Sequence, residues 1–112
     1  MKRNEEFQPL LDRAQAASRL LAGMANANRL LALCHLADAP EMAVGRLAEL
    51  VGISQSALSQ HLAKLRSDGV VATRKDKQTV YYRLKDQRVL PLLLLLRDQF
   101  CPELQSDRRP SQ

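Results

Sequence analysis

The sequence predicts a mainly α-helical domain that carries one small β-hairpin. Apolar residues recur at three- and four-residue steps along most of the 112 residues, which is the period of helices that bury one face. A tight Gly-Ile-Ser turn at 52–54 joins two of these helical stretches. Residues 70–84 instead are rich in β-branched and aromatic side chains, which favours two strands. A chain of this length is expected to form one domain.

The four helices that precede the predicted strands are amphipathic, and their expected bounds are 7–24, 27–38, 44–51 and 55–68. Asn26 and Ser54 are the expected N-caps of the second and fourth helices, because their side chains can accept a hydrogen bond from the first turn. Gly52 and Gly69 follow the third and fourth helices as terminators. The fourth helix should bury a stripe at i, i+4 and i+7 that consists of Leu58, Leu62 and Leu65.

A hairpin and a last helix complete the chain. The two strands are expected at Val70–Lys75 and Thr79–Leu84, with Asp76-Lys77-Gln78 as the turn between them. Asp86 is the expected N-cap of a helix over 87–101, which Pro102 stops. Its segment Val89–Leu96 is apolar on every side, and one small domain cannot easily bury such a helix. The pattern therefore predicts a homodimer.

The order of these elements is that of a winged helix-turn-helix: four helices, a hairpin and a fifth helix. We expect this DNA-binding and dimerisation domain to cover residues 7–102. The polar ends, residues 1–6 and 103–112, are expected to be flexible.

The positive charge of the chain lies in one stretch. The formal net charge is +5, and residues 54–85 carry all of it, since the charges outside this stretch balance. The stretch covers the fourth helix and the hairpin. A basic helix and hairpin on an otherwise neutral domain indicate binding to a polyanion, and double-stranded DNA is the leading candidate.

Two kinds of DNA contact are expected. Serine and glutamine side chains suit the donor and acceptor pattern of base edges, and those on the fourth helix are Gln55, Ser56, Ser59 and Gln60. Basic side chains bind phosphates, which position a protein without reading sequence, and the candidates are Lys64, Arg74, Lys75 and Lys77. His61 falls near the buried edge of the helix and should be packed. One of Tyr81 and Tyr82 should be in the core and the other exposed, because they alternate along a strand.

Composition and motifs exclude several classes of function. The longest apolar run, Val89–Leu96, is far shorter than the roughly 20 residues that span a bilayer, and the N-terminus lacks the pattern of a signal peptide. We therefore expect a cytoplasmic protein without a membrane partner, whose two cysteines are normally reduced. The sequence contains no phosphate loop, nucleophile elbow or carboxylate dyad, so it is not expected to be an enzyme.

The helix-turn-helix segment resembles the ArsR/SmtB family of bacterial winged-helix repressors. The resemblance rests on Leu47-Ala-Glu-Leu-Val-Gly-Ile-Ser-Gln-Ser-Ala-Leu-Ser-Gln-His-Leu62, on Asn26-Ala-Asn-Arg-Leu30 and on Gln78-Thr-Val-Tyr-Tyr82, and it covers roughly residues 10–102. It implies a homodimeric repressor that binds an imperfectly palindromic operator. The metal-sensing members carry cysteines near the third helix or Asp/His pairs along the last one, and this chain has neither.

The chain instead carries Cys34 in the second helix and Cys101 at the end of the last. This pair is similar to that of the thiol-sensing BigR and SqrR branch. The resemblance implies a dithiol switch that releases DNA when reactive sulfur species modify it, with no cofactor and no resident metal.

Other interpretations remain open from the sequence. Cys34 lies among leucines and could be an inert core residue. A metal or haem site could use Cys34, His35 and Cys101, although neighbouring residues on a helix point about 100° apart and make poor ligands for one ion. A peroxide-responsive repressor is a further alternative. Outside DNA binding, the fold could serve as a module that binds an acidic protein.

Overall fold

The computed structural model describes residues 2–103, with side chains described from Gln8 onward. In chain order the elements are α1 Lys2–Met24, α2 Ala27–Ala37, β1 Met42–Ala43, α3 Val44–Val51, α4 Gln55–Ser67, β2 Val71–Asp76, β3 Thr79–Leu84 and α5 Val89–Phe100. This is the predicted winged helix-turn-helix. Within residues 2–103, no helix is long and apolar enough to cross a membrane.

Helix α2 lies at the centre of the domain. Its Ala32, Leu33 and Leu36 are buried, and it packs against α1, α3, α4, α5 and β3. Asn26 is its N-cap, as predicted, and accepts a hydrogen bond from the backbone N–H of Arg29 at 3.1 Å. The helix ends at Ala37, one residue before the predicted end, since Asp38 has left the helical conformation as the C-cap.

The helix-turn-helix follows its sequence signals closely. Gly52 ends α3 with a φ of 87°, a left-handed conformation that glycine adopts without steric cost. Ser54 then caps α4, and its Oγ accepts a hydrogen bond from the backbone N–H of Ala57 at 3.1 Å. The predicted buried stripe of α4 is confirmed, and it consists of Leu58, Leu62 and Leu65.

The sheet has three strands in the order β1-β3-β2, whereas the sequence predicted only the hairpin. The additional strand pairs Met42 with Tyr82 and Ala43 with Tyr81. Strand β2 begins at Val71 and ends at Asp76, one residue later at each end than predicted. Because Asp76 pairs with Thr79, the hairpin loop has two residues instead of the predicted three.

The bounds of the outer helices differ from the prediction. Helix α1 begins at Lys2, so residues 2–6 are helical; their flexibility stays a prediction, and residues 104–112 of the predicted tail lie outside the described part of the chain. Helix α5 runs from Val89 to Phe100 and not over 87–101. Asp86 is not its N-cap, because its carboxylate binds the backbone N–H of Arg88 at 3.1 Å within the preceding turn.

Helices α1 and α5 leave large apolar side chains on the surface. Leu10 is 61% exposed, Leu95 is 55% exposed and Phe100 is 78% exposed. Within the apolar run of α5, Val89 and Leu93 are buried in this chain, while Leu95 and Leu96 are not. One chain therefore covers only one side of the helix.

The hairpin loop contains a strained residue. Lys77 has a φ of 59°, and it is the only non-glycine residue between 2 and 103 with a positive φ. Lys77→Gly should raise the free energy of unfolding by about 0.5–1 kcal/mol, because glycine adopts this conformation without a Cβ clash. Urea denaturation in high salt measures this and screens the lost charge. Gln78→Gly is the control; an equal stabilisation by that variant would show that the strain explanation is wrong.

Candidate DNA interface and thiol pair

The face of α4 opposite its leucine stripe carries the predicted base contacts. Gln55, Ser56, Ser59 and Gln60 are all exposed there. They occupy the first two turns of the helix, immediately after the turn at Gly52. Their hydroxyl and amide groups form a polar surface that can both donate and accept hydrogen bonds. Half-buried His61 lies beside this surface, near the edge where the sequence placed it.

Gln55 rests against α3 at a glycine. A Cβ at Gly45 would lie 3.0 Å from the Gln55 Nε2 atom, so a larger residue there would push the amide away. Gly45 thus gives Gln55 its present position at the start of α4. The sequence analysis missed this contact, although a glycine within an eight-residue helix is a recognisable signal.

The predicted phosphate contacts lie on α4 and on the wing, the hairpin of β2 and β3. Lys64, Lys75 and Lys77 are exposed, and Lys64 makes only a loose ion pair with Asp68, 3.5 Å between Nζ and Oδ2. Such an exposed pair is weak and leaves the ammonium available to another anion. All four candidate cations, Arg74 included, are exposed on α4 and on the wing.

The fourth candidate, Arg74, has a partner within the chain. Its Nε donates to the Glu41 carboxylate at 2.8 Å, and its guanidinium lies 4.4 Å from the ring centre of Tyr81. The hydrogen bond from Arg74 lowers the pKa of Glu41. Tyr82 is buried and Tyr81 lies half-buried under Arg74, so the two tyrosines do point to opposite faces of the sheet. Arg74 thereby ties the wing to the segment that follows α2.

The two cysteines lie on helices that pack against each other: Cys34 is on α2, and Cys101 follows the last turn of α5. Cys34 is half-buried next to the core, and Cys101 is the C-cap of α5. Both are free thiols. Burial raises the pKa of the Cys34 thiol; the charge and hydrogen bond of Arg97 oppose this rise, and Asp38 and Cys101 add to it.

Arg97 is the residue of this region that the sequence analysis missed. Its side chain is only 9% exposed, and its guanidinium binds the Asp38 carboxylate at 3.2 Å and the Cys34 carbonyl oxygen at 3.3 Å. Nothing in the sequence marks a partner 59 residues away. Among residues 2–103, no three His, Cys, Asp or Glu side chains gather where they could hold a metal ion.

Comparison with known proteins places the chain in a family. The family model described as bacterial regulatory protein, arsR family, matches residues 26–73. The nodulation protein NolR of Rhizobium meliloti is 53% identical over 85 residues, which are 76% of this chain and 69% of NolR.

Solved structures agree with this assignment. Reduced HlyU from Vibrio cholerae gives a TM-score of 0.78 at 47% identity and covers 84% of this chain and 98% of its own. The transcriptional repressor BigR from Xylella fastidiosa gives a TM-score of 0.77 at 34% identity, and the match covers 84% of this chain and 95% of BigR. A homodimeric winged helix-turn-helix DNA-binding domain from Mycobacterium bovis gives a TM-score of 0.73 at 26% identity, and the match covers 93% of this chain and 95% of that domain.

These relatives are regulators of transcription and not enzymes, and the match spans both the helix-turn-helix and the central helix α2. The chain therefore belongs to the arsR family of bacterial regulatory proteins and is a DNA-binding transcriptional regulator.

Proposed function

We propose that this chain is a cytoplasmic, homodimeric repressor that holds operator DNA while Cys34 and Cys101 are reduced. Modification of both thiols by reactive sulfur species releases the DNA. The proposal is supported by the packing of α2 against α5, since Cys34 lies on α2, Cys101 is the C-cap of α5 and both are free thiols. The similarity to the transcriptional repressor BigR supports the repressor role, whereas the related HlyU of Vibrio cholerae is a transcriptional activator.

The dimer is proposed from the apolar surfaces of α1 and α5. Leu10 and Leu21 of α1, and Leu95 and Phe100 of α5, are each more than half exposed. A second copy of the chain is the simplest cover for these faces, and the related domain from Mycobacterium bovis is a homodimer. A two-fold axis would place two α4 helices about one DNA turn apart, roughly 34 Å. The operator is then an imperfect palindrome.

On DNA, the polar face of α4 would enter the major groove and the wing would lie along the backbone. Gln55, Ser56, Ser59 and Gln60 would contact base edges, while Lys64, Lys75 and Lys77 would contact phosphates. Arg74 remains a candidate phosphate contact, although its bond to Glu41 gives it a second role in holding the wing.

A low-molecular-weight persulfide is the oxidant of the two thiols in this reaction. Each cysteine thiolate attacks the sulfane sulfur of one persulfide, which leaves as a thiol and takes up the proton. The terminal sulfur of persulfidated Cys34 then attacks Sγ of persulfidated Cys101 and expels hydrosulfide, leaving a trisulfide bridge. Two thiols are oxidised, and one sulfane sulfur is reduced to sulfide. The added sulfur atom lengthens the bridge, so less backbone movement is needed than for a disulfide.

Burial raises the pKa of the Cys34 thiol, so the thiol is mostly protonated near neutral pH and is a poor nucleophile toward peroxide and persulfide alike. The two reagents differ at the next step. A persulfide is more acidic than a thiol, so once Cys34 has accepted a sulfur atom, the attack on Cys101 proceeds with an ionised nucleophile.

The assignment of DNA contacts predicts two classes of variant. Lys75→Ala or Lys77→Ala should weaken binding to all sequences and reduce the salt slope by about one unit, because one phosphate contact is lost. Ser56→Ala or Gln60→Ala should cost on the order of 1–3 kcal/mol on the operator only. Fluorescence anisotropy with operator and scrambled duplexes over a salt series measures both.

Arg13→Ala is the matched control for these charge changes, since Arg13 is exposed on α1 and is not among the α4 and wing residues proposed to contact DNA. It should leave binding unchanged. The roles are wrongly assigned if the wing and α4 variants lose operator and scrambled duplex binding in the same proportion. DNA binding that depends neither on salt concentration nor on DNA sequence would instead favour a module that binds acidic proteins.

The thiol switch predicts that Cys34→Ser and Cys101→Ser bind operator like the reduced protein but keep it after treatment with glutathione persulfide. The wild-type protein should release DNA and show the bridged mass in intact-protein mass spectrometry. Hydrogen peroxide should act more slowly, and zinc or haem should not act. A double serine variant that still releases DNA with persulfide would refute the dithiol mechanism.

A further inference from the structure

Arg97 carries an unusual combination of contacts for a charged residue. Its side chain is only 9% exposed, although the side chain of its partner Asp38 is 55% exposed. Burying a guanidinium is costly unless its donors are satisfied. Its Nη1 and Nη2 atoms reach the two oxygens of Asp38 at 3.2 and 3.3 Å, and Nη2 also reaches the Cys34 carbonyl oxygen at 3.3 Å. The guanidinium thus spans one turn of α2, from Cys34 to Asp38.

The backbone of the same residue holds the second cysteine. The Cys101 N–H donates to the carbonyl oxygen of Arg97 at 2.7 Å, which closes the last turn of α5. Cys34 is therefore contacted by the side chain of Arg97, and Cys101 is contacted by its main chain. One residue of α5 therefore contacts the backbone of both cysteines.

The chemistry of the guanidinium suits a sulfur that becomes negatively charged. Arginine presents several donors in a planar fork and stays protonated, whereas lysine presents one compact charge. Charge-assisted hydrogen bonds to an anion are stronger than neutral ones. Burial raises the pKa of the Cys34 thiol, the positive charge of the Arg97 guanidinium lowers it, and the nearby Asp38 carboxylate raises it. The two members of this ion pair therefore act on Cys34 in opposite directions.

We infer that Arg97 is the positioning residue of the thiol switch: its guanidinium holds Cys34 and stabilises the thiolate or persulfide anion that forms there during sulfur transfer. Asp38 opposes this effect and keeps the guanidinium in place. The inference rests on the proposed thiol function. The Arg97–Asp38 ion pair would then control the rate at which Cys34 reacts.

The test measures alkylation of Cys34 by iodoacetamide from neutral pH upward, in the full chain with Cys101→Ser. Arg97→Gln should slow the reaction at neutral pH severalfold and move the profile to higher pH. Asp38→Asn should have the opposite effect and accelerate the reaction at neutral pH. Arg97→Lys should lie between Arg97→Gln and the parent, because it keeps the charge but loses the fork.

Arg88→Gln is the matched control. Arg88 immediately precedes the same helix, pairs with Asp86 and has a side chain that is 78% exposed. It should match the parent profile. A purely structural role predicts that breaking the Arg97–Asp38 pair from either side exposes Cys34, so both variants would react faster. That outcome, or identical profiles for all variants, would overturn the inference.

The two proposals fail separately. If the wild-type protein keeps its DNA after persulfide treatment, the proposed function fails, and the alkylation profiles still show whether Arg97 controls Cys34. If the wild-type protein releases DNA but Arg97→Gln reacts like the parent, the inference fails and the function stands. Where circular dichroism shows that Arg97→Gln is unfolded, Arg97→Lys against Asp38→Asn decides.

Discussion

The burial of α2 is the constraint on which the rest of the structure depends. Ala32 and Leu33 are completely buried and Leu36 is 2% exposed. Each fully buried leucine contributes about 1.5–3 kcal/mol, and α1, α3, α4, α5 and β3 supply the surfaces that bury them. Within residues 2–103, no other element packs against more elements. A change at α2 therefore affects both helices of the helix-turn-helix and the helices of the proposed dimer interface.

Two ion pairs lie at or just after the C-terminal end of α2, and each contacts a different element of the fold. Asp38 holds Arg97 of α5 at the thiol pair, and three residues later Glu41 holds Arg74 of the wing. Strand β1 follows at once and pairs with β3. If the proposed sulfur bridge moves α5 against α2, the short segment from α2 to β1 links that movement to the sheet that contains the wing. A few kcal/mol of difference between two arrangements is enough to change DNA affinity substantially.

The sequence predicted those parts of the fold that local rules determine. Ser54, Gly52 and Gly69 mark the helix-turn-helix because capping and left-handed turns require particular residues at particular positions. Strand β1 could not be predicted, because two residues show no periodicity and its pairing with β3 depends on the folded chain. The N-cap at Asp86 was wrong for a similar reason: the same carboxylate satisfies a turn one step earlier.

The candidate site likewise contains residues that local sequence patterns predict and contacts that they do not. The polar face of α4 and the lysines of the wing follow from helix and strand periods, so the sequence could place them. The links from Arg97 to Asp38 and from Arg74 to Glu41 span 59 and 33 residues, and no local pattern records them. These long-range pairs are what connects the thiols and the wing to the same end of α2.

We propose that chemistry at the contact between α2 and α5 changes the spacing of the two α4 helices in a dimer. Electron paramagnetic resonance can measure this spacing with a spin label on a ketone-bearing amino acid at Ala63, which is exposed on α4. This labelling leaves both cysteines untouched. The reduced protein should give one distance near one DNA turn, about 34 Å, and persulfide should shift it in the wild type but not with Cys34→Ser. An absence of dipolar coupling, or an unchanged distance in protein that has released its DNA, would contradict the account.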